Sequence, residues 1–115
     1  NKKDLSWKMT FANKENEAKM NSTFSEIPNW NRDFARVGIS HKDYLVNFKV
    51  YTAQIKNPVL FFYGKSDFTD GPEHHKEVHF PNMLLWGSDV AHVPFMENKE
   101  DLQKAIDSYL QKFDL

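Results

Sequence analysis

Asp67 and His92 are the two residues whose types and positions best suit acid–base chemistry. Asp67 lies three residues after Gly64, which closes the apolar run PVLFFYG, and His92 lies five residues after Gly87, which closes the run MLLWG. If these runs form neighbouring strands about 5 Å apart, the carboxylate of one loop can meet the imidazole of the next. A carboxylate partner fixes the tautomer of a histidine and stabilises its protonated form, as a general base for a serine nucleophile requires. We therefore predict that Asp67 and His92 form a catalytic pair.

Each of these residues also has a simpler interpretation. Asp67 could be a turn carboxylate, which is common in G-x-x-D loops, and His92 could cap the last helix or bind a carbonyl group. Asp70 is a rival acid in the same loop. We favour Asp67 over Asp70 because G-x-x-D places it right after the end of the strand.

Three further histidines, His74, His75 and His79, raise the question of a metal site, since the last two would share one face of a helix. No carboxylate or cysteine completes a ligand set around them, so we predict neither a metal nor a cofactor. The stretch GKS at residues 64–66 resembles the end of a phosphate-binding loop. That motif requires glycine at position 59, where this sequence has valine.

The composition is typical of one globular domain. The chain has 115 residues, with 15 Lys plus Arg against 16 Asp plus Glu, and it contains no cysteine. The near balance of charge argues against nucleic acid or an anionic membrane as a partner, and no apolar run approaches the ~20 residues that span a bilayer. The lack of cysteine excludes disulfides and a thiolate nucleophile. The first residue is Asn1 rather than Met, which suggests a piece of a longer protein; a cytoplasmic location is favoured.

Residues 57–115 predict the order strand, helix, strand, helix, which is an α/β arrangement. The strands are residues 58–64 and 83–86, the first helix runs from Pro72 to a stop at Pro81, and the last helix covers residues 98–113. The connection between the strands is too long for a hairpin and suits a right-handed crossover, so the strands should be parallel. Apolar parallel strands are covered by helices on both faces. Two strands leave two open edges, so this half is predicted to be the closing edge of a larger sheet.

Residues 1–56 predict short helices joined by irregular links. Apolar side chains recur at helical spacing at Trp7 and Phe11, over residues 14–20, at Phe34 and Val37, and over residues 44–51. Ser40 is the predicted N-cap of the last of these helices. We expect the aromatic side chains of this segment to pack within it rather than to contact a substrate: these are Trp7, Phe11, Trp30 and Phe34.

The second half of the chain resembles the C-terminal part of the α/β-hydrolases, most closely their proline iminopeptidase-like branch. The positions that match the family motif are 58–63, Gly64, Asp67, His92, Pro94 and Glu97. Ala91 stands where the family usually has glycine, and both residues are small. The resemblance implies a serine hydrolase in which Asp67 is the acid of the triad and His92 is the base.

The same resemblance implies a domain organisation. Residues 1–56 would be a helical cap or lid, and residues 57–115 the C-terminal strand-helix-strand-helix part of the hydrolase core. In aminopeptidases of the family, acidic cap residues hold the amine of the substrate. Nothing in the sequence selects among Glu15, Glu17 and Glu26 for that role.

The nucleophile of this fold lies on a G-x-S-x-G turn that precedes the acid and the histidine. Neither GIS at residues 38–40 nor GKS at residues 64–66 completes that turn. We therefore expect the serine to lie outside this chain and the chain alone to be inactive. The intact enzyme would hydrolyse an amide or ester bond of a small-molecule or peptide substrate.

A second hypothesis is that the chain is a non-catalytic fragment or truncated protein that pairs its open strand edges with another copy. The partner would be the missing N-terminal core segment under the first hypothesis and a second copy under the second. For the isolated chain we expect a dimer or a larger assembly in solution.

Overall fold

The chain combines helices with a two-stranded sheet in an α/β-like arrangement. The computed structural model describes residues 7–26 and 31–115. The elements, in chain order, are helices α1 (Glu15–Ser25) and α2 (Arg32–Ser40), strands β1 (Val59–Gly64) and β2 (Met83–Ser88), and helices α3 (Pro94–Glu97) and α4 (Lys99–Lys112). Stretches of 3₁₀ helix lie at Lys42–Leu45, Phe48–Gln54 and His74–Glu77. Within the described ranges, no helix has both the length and the apolar composition that crossing a bilayer requires.

Strands β1 and β2 pair in parallel, as predicted. Their register runs from Val59 opposite Met83 to Gly64 opposite Ser88. A hydrogen bond from Lys65 N to Ser88 O (2.9 Å) carries the pairing past the end of β1. Because the two strands end at the same level, the loops that follow them leave from adjacent points, at the sheet edge where open α/β folds place ligand sites.

Helix α4 covers one face of the sheet and confirms the predicted C-terminal helix. It begins after Asn98, whose side chain accepts a hydrogen bond from Asp101 N (3.0 Å). Tyr109 donates its hydroxyl to the carbonyl oxygen of Pro58 (3.1 Å), just before β1. The indole N–H of Trp86 in β2 donates to the carboxylate of Asp101 (3.2 Å). Both strands are thus fastened to the same helix.

A single turn of 3₁₀ helix, His74–Glu77, lies against the other face. The ring of its first histidine lies 5.5 Å from the ring of Phe61, and His75 stacks on Tyr63 at 3.9 Å between ring centroids. The two-turn helix predicted between the flanking prolines is therefore wrong. The flat imidazole rings reach the strand from one tight turn, and the residue after that turn is already extended.

Helices α1 and α2 form where the sequence predicts them, but the helix predicted for residues 44–51 is wrong. Two 3₁₀ helices replace it, and Ser40, its predicted N-cap, instead donates to Val37 O within α2 (3.0 Å). A new turn starts at Asn47, whose side chain accepts from Lys49 N (3.2 Å). The valines and threonine of this stretch are weak helix formers, which favours short turns over one continuous helix.

Few apolar side chains of the described chain are buried. Those that are lie mainly around the loop after β2: Phe11, Val90, Ala91, Val93 and Ala105. The side chains of β1 are mostly half-buried, so the predicted burial on both faces is not reached. Of the aromatic residues predicted to pack within the first half, Phe11 is buried, Trp7 is half-buried, Phe34 is 78% exposed and Trp30 lies outside the described residues. The radius of gyration is 16.5 Å, against roughly 13 Å for a compact domain of this length.

The pKa of the Asp101 carboxyl lies below its ordinary value. The Ser88 hydroxyl beside it and the Trp86 indole N–H both favour the charged carboxylate. The Ser88 oxygen has no described partner in hydrogen-bond geometry, so the bond from Trp86 is the better defined of the two. A lowered carboxyl pKa stabilises the fold above about pH 4, and this stabilisation is lost as the pH falls through the folded-state pKa.

Asp101→Asn should therefore lower the urea midpoint of unfolding at about pH 6, and the deficit should shrink as the pH falls to about 3, because the advantage of the charged carboxylate declines below the unfolded-state pKa of about 4. Tryptophan fluorescence of the chain against urea concentration measures both midpoints. Asp107→Asn, an exposed change on the same helix, should have a smaller effect. A deficit of equal size at both pH values would contradict the charge-based explanation.

Candidate active site

The site lies where the two loops leave the carboxyl ends of β1 and β2. Gly64 closes β1, and the backbone of the second loop passes directly over it. A Cβ added to Gly64 would fall on the carbonyl oxygens of Val90 and Ala91. Ser66 N also donates to Val90 O (3.1 Å). Glycine at this position therefore allows the two loops to lie against each other.

Asp67 is the buried acid of the site, with 5% of its surface exposed. One carboxylate oxygen, Oδ1, accepts hydrogen bonds from the backbone N–H groups of Thr69 (3.0 Å) and Asp70 (3.2 Å). The other, Oδ2, lies 3.1 Å from His92 Nδ1. Both oxygens are thus directed by their partners, and the carboxylate is held in one orientation.

His92 lies at the mouth of the site, and its side chain is 37% exposed. A carboxylate oxygen only accepts hydrogen bonds, so Nδ1 must donate to Asp67 and the lone pair of the neutral ring lies on Nε2. The backbone N–H of His92 donates to Thr10 O (2.9 Å). The structure therefore brings together the predicted pair with the tautomer that a general base requires.

Asp70, the rival acid, lies at the edge of the same site. Its Oδ2 is 3.7 Å from His92 Nδ1, and its side chain is 61% exposed. An exposed ion pair at this distance contributes little, whereas Asp67 makes the shorter contact from a buried position. The geometry therefore favours Asp67 as the main partner of His92 and places Asp70 beside the pair as a second negative charge.

The same three residues are also the described groups best placed for a cation. Asp67, Asp70 and His92 can each offer one ligand atom, and these atoms lie within 4.8 Å of one another. A cation would have to displace the hydrogen bond between Asp67 and His92, since Nδ1 and Oδ2 already face each other. The set therefore fits a hydrogen-bonded acid–base pair better. Of the three histidines that the sequence analysis considered as metal ligands and did not favour, His74 and His75 place their rings against β1.

A small cavity of about 170 Å³ contains the pair. It is lined by Phe62, Tyr63, Gly64, Asp67, Asp70, His74, Ala91, His92 and Pro94. Complete ligand sites are usually 300–1,000 Å³, so this cavity is the size of part of a site. A wider groove of about 470 Å³ runs along α2 and is lined by residues of that helix alone. It is an uncovered helix face far from the acid–base pair in sequence.

The sequence did not predict that the first segment would contact the two loops. The loop after β1, which carries Asp67, is called the acid loop, and the loop after β2, which carries His92, is called the base loop. Met9 O accepts a hydrogen bond from the hydroxyl of Thr69 in the acid loop (2.8 Å), and Thr10 O accepts one from the N–H of His92 in the base loop. We call residues 9–16 the strap. No short-range pattern could have revealed these contacts, because they join backbone carbonyl oxygens to residues about sixty and eighty positions away.

No family model matches this chain, and no curated protein or solved structure is significantly similar to it. Any assignment of function therefore depends on the residues of the site and on their geometry.

Gly64→Ala should destabilise the chain by about 1–3 kcal/mol, because the new Cβ meets backbone that cannot move alone. Gly38→Ala is the matched control: it lies within α2 with nothing within 4 Å of an added Cβ, and alanine is the better helix former by up to about 1 kcal/mol. Urea unfolding of the two variants measures both effects. Equal stability of Gly64→Ala and the unmodified chain would contradict the tight contact between the loops.

Proposed function

We propose that this chain supplies the acid and the base of a serine α/β-hydrolase, with Asp67 and His92 in these roles. The observation that carries the proposal is the 3.1 Å contact between His92 Nδ1 and the buried carboxylate of Asp67. The two residues lie on loops that leave the same end of adjacent parallel strands, where α/β enzymes place their sites. The motif around both residues resembles that of the hydrolase family, which gives the proposal its reaction class.

In the proposed reaction, His92 Nε2 takes the proton of a serine hydroxyl as the serine oxygen attacks the carbonyl carbon of an ester or amide. Asp67 holds the ring and stabilises the imidazolium that forms. The histidine then gives its proton to the leaving alcohol or amine, which leaves an acyl-serine. A water molecule, deprotonated by the same histidine, releases the acid and restores the serine.

The serine would have to come from polypeptide outside this chain. The sequence has no G-x-S-x-G turn, and the residues that line the cavity, among those the structure describes, include no serine, threonine or cysteine. Helices α1 and α2 and the links that follow would form the cap. Within this class, cleavage of an N-terminal proline from a peptide is the leading substrate hypothesis, and it rests on the resemblance to the proline iminopeptidase-like branch.

The chain alone should hydrolyse a nitrophenyl ester no faster than its His92→Ala variant, because it lacks the nucleophile. Sequencing the natural coding region upstream of Asn1 should reveal a G-x-S-x-G segment in the same reading frame. In that longer protein, Asp67→Asn and His92→Ala should each lower kcat by about 10²- to 10⁴-fold.

Asp70→Asn is the matched control in the longer protein, since this carboxylate lies beside the pair without its hydrogen bond. It should lower kcat far less than Asp67→Asn. If Asp70→Asn lowered kcat more than Asp67→Asn does, Asp70 rather than Asp67 would be the acid of the triad. Absence of any G-x-S-x-G segment in the natural product would rule out the hydrolase proposal.

A second candidate function is self-association without catalysis, and the exposed apolar surface favours it. The large apolar side chains of residues 34–55 that are exposed are Phe34, Val37, Ile39, Tyr44, Val46, Phe48, Val50, Tyr51 and Ile55. The accessible surface is 8902 Å², about a third more than the roughly 6,600 Å² expected for a monomer of this mass. Excess of this size is enough for a stable interface. A second copy would cover this surface and the outer strand edges.

Light scattering should therefore give a mass of at least a dimer for the isolated chain. Phe34→Ser should shift the assembly towards monomer, because a largely exposed aromatic side chain is removed from the interface. Arg36→Ser is the control, since this side chain is equally exposed on the same helix but is polar. A monomeric mass across a hundredfold range of concentration would contradict self-association.

A further inference from the structure

Glu97 joins the loop that carries His92 to the strap. Its Oε2 accepts the backbone N–H of Ala91, the residue before His92. Its Oε1 accepts the backbone N–H of Ala12 (2.6 Å) and the side-chain amide of Asn16 (3.3 Å). One carboxylate thus receives three hydrogen bonds from two segments that are about eighty residues apart.

Of the three residues whose groups Glu97 binds, Ala91 and Asn16 are buried and Ala12 is exposed. Ala91 is 1% exposed and Asn16 is 8% exposed, and Phe11, the strap residue before Ala12, is also buried. A buried N–H that loses its acceptor costs about 1–3 kcal/mol. A carboxylate can accept at both oxygens, whereas a glutamine side chain accepts at one and presents an NH₂ group at the other. The three hydrogen bonds to Glu97 therefore need a glutamate rather than another polar side chain of this length.

The strap also contacts both catalytic loops directly. Thr10 O accepts the N–H of His92, and Met9 O accepts the hydroxyl of Thr69, whose own N–H donates to Asp67. A strap that is held in place therefore restrains the acid loop and the base loop together through these hydrogen bonds.

We propose that Glu97 is a positioning residue for His92: by holding the Ala91 N–H and the strap at once, it keeps the imidazole at hydrogen-bond distance from Asp67. The hydrogen bonds of the Glu97 side chain go to Ala91, Ala12 and Asn16 rather than to Asp67 or the ring of His92, so it acts through the backbone. This inference rests on the proposed function, because it assigns a role in the alignment of the same acid–base pair.

Nuclear magnetic resonance of the ¹⁵N-labelled full chain tests the inference. The Nδ1 proton of His92, held by Asp67, should give a downfield signal that disappears in Asp67→Asn, which assigns it. In Glu97→Gln this signal should broaden or disappear, and the amide hydrogens of Ala91 and Ala12 should exchange about tenfold faster or more. The amides in the middle of α4 should keep their rates, which separates loss of alignment from general loss of stability.

Glu100→Gln is the matched control, being the same change at an exposed position three residues further on; it should leave the signal and the exchange rates unchanged. If Glu97→Gln does not fold, Asn16→Ala decides, because it removes one strap-side bond and leaves the Ala91 bond in place. It should speed exchange at Ala12 and His92 but not in α4, and unchanged exchange would overturn the inference.

The outcomes distinguish this inference from the proposed function. A downfield signal that is present in the unmodified chain and unchanged in a folded Glu97→Gln overturns the positioning role alone. Lack of the signal in the unmodified chain would mean that the acid–base pair does not form, which overturns the proposed function together with the inference.

Discussion

The contact between Gly64 and the backbone at Val90 and Ala91 is the constraint on which the site depends. Parallel pairing brings the ends of β1 and β2 to one level, but a side chain at position 64 would hold the second loop away from the first. With only a hydrogen there, the base loop lies on the end of β1, and the backbone bonds of residues 65 and 66 fasten it. The acid three residues further on is then within reach of the imidazole.

Burial separates the two carboxylates of the acid loop into different roles. Asp67 has little contact with water, so its oxygens must be satisfied by protein groups, and two backbone N–H groups and His92 do so. Asp70 remains in solvent, where water satisfies its oxygens and screens its charge. The same backbone turn thus holds Asp67 as a hydrogen-bond acceptor of fixed orientation and leaves Asp70 as a negative charge screened by solvent. Only the first can fix the tautomer of a histidine.

The parts of this arrangement that the sequence predicted are those set by local pattern. The apolar runs and the length of their connection predicted the parallel strands, Asn98 to Phe113 carried the periodicity of α4, and G-x-x-D pointed to Asp67. The 3₁₀ turn at His74–Glu77 was missed because ring stacking on β1, a tertiary contact, prevailed over the helical pattern between two prolines. The contacts of the strap were missed for a similar reason, since its bonds to Thr69, His92 and Glu97 span sixty or more residues. The exposure of Phe34 on α2 was not predicted, because helical periodicity identifies an apolar face but does not show which part of the protein covers it.

In this molecule, hydrogen bonding within the site is far more complete than the burial of apolar side chains. The polar groups that position Asp67 and His92 find their partners within the chain, through the acid turn, the strap and Glu97. Among the described residues, the apolar side chains of α2 and of the links that follow find few partners, and β1 is only half-buried. Hydrogen bonds require fixed geometry, whereas apolar burial requires only contact area. A partner that covers the apolar surface would therefore add stability without having to rebuild the acid–base pair, which explains how so open a chain can hold so ordered a site.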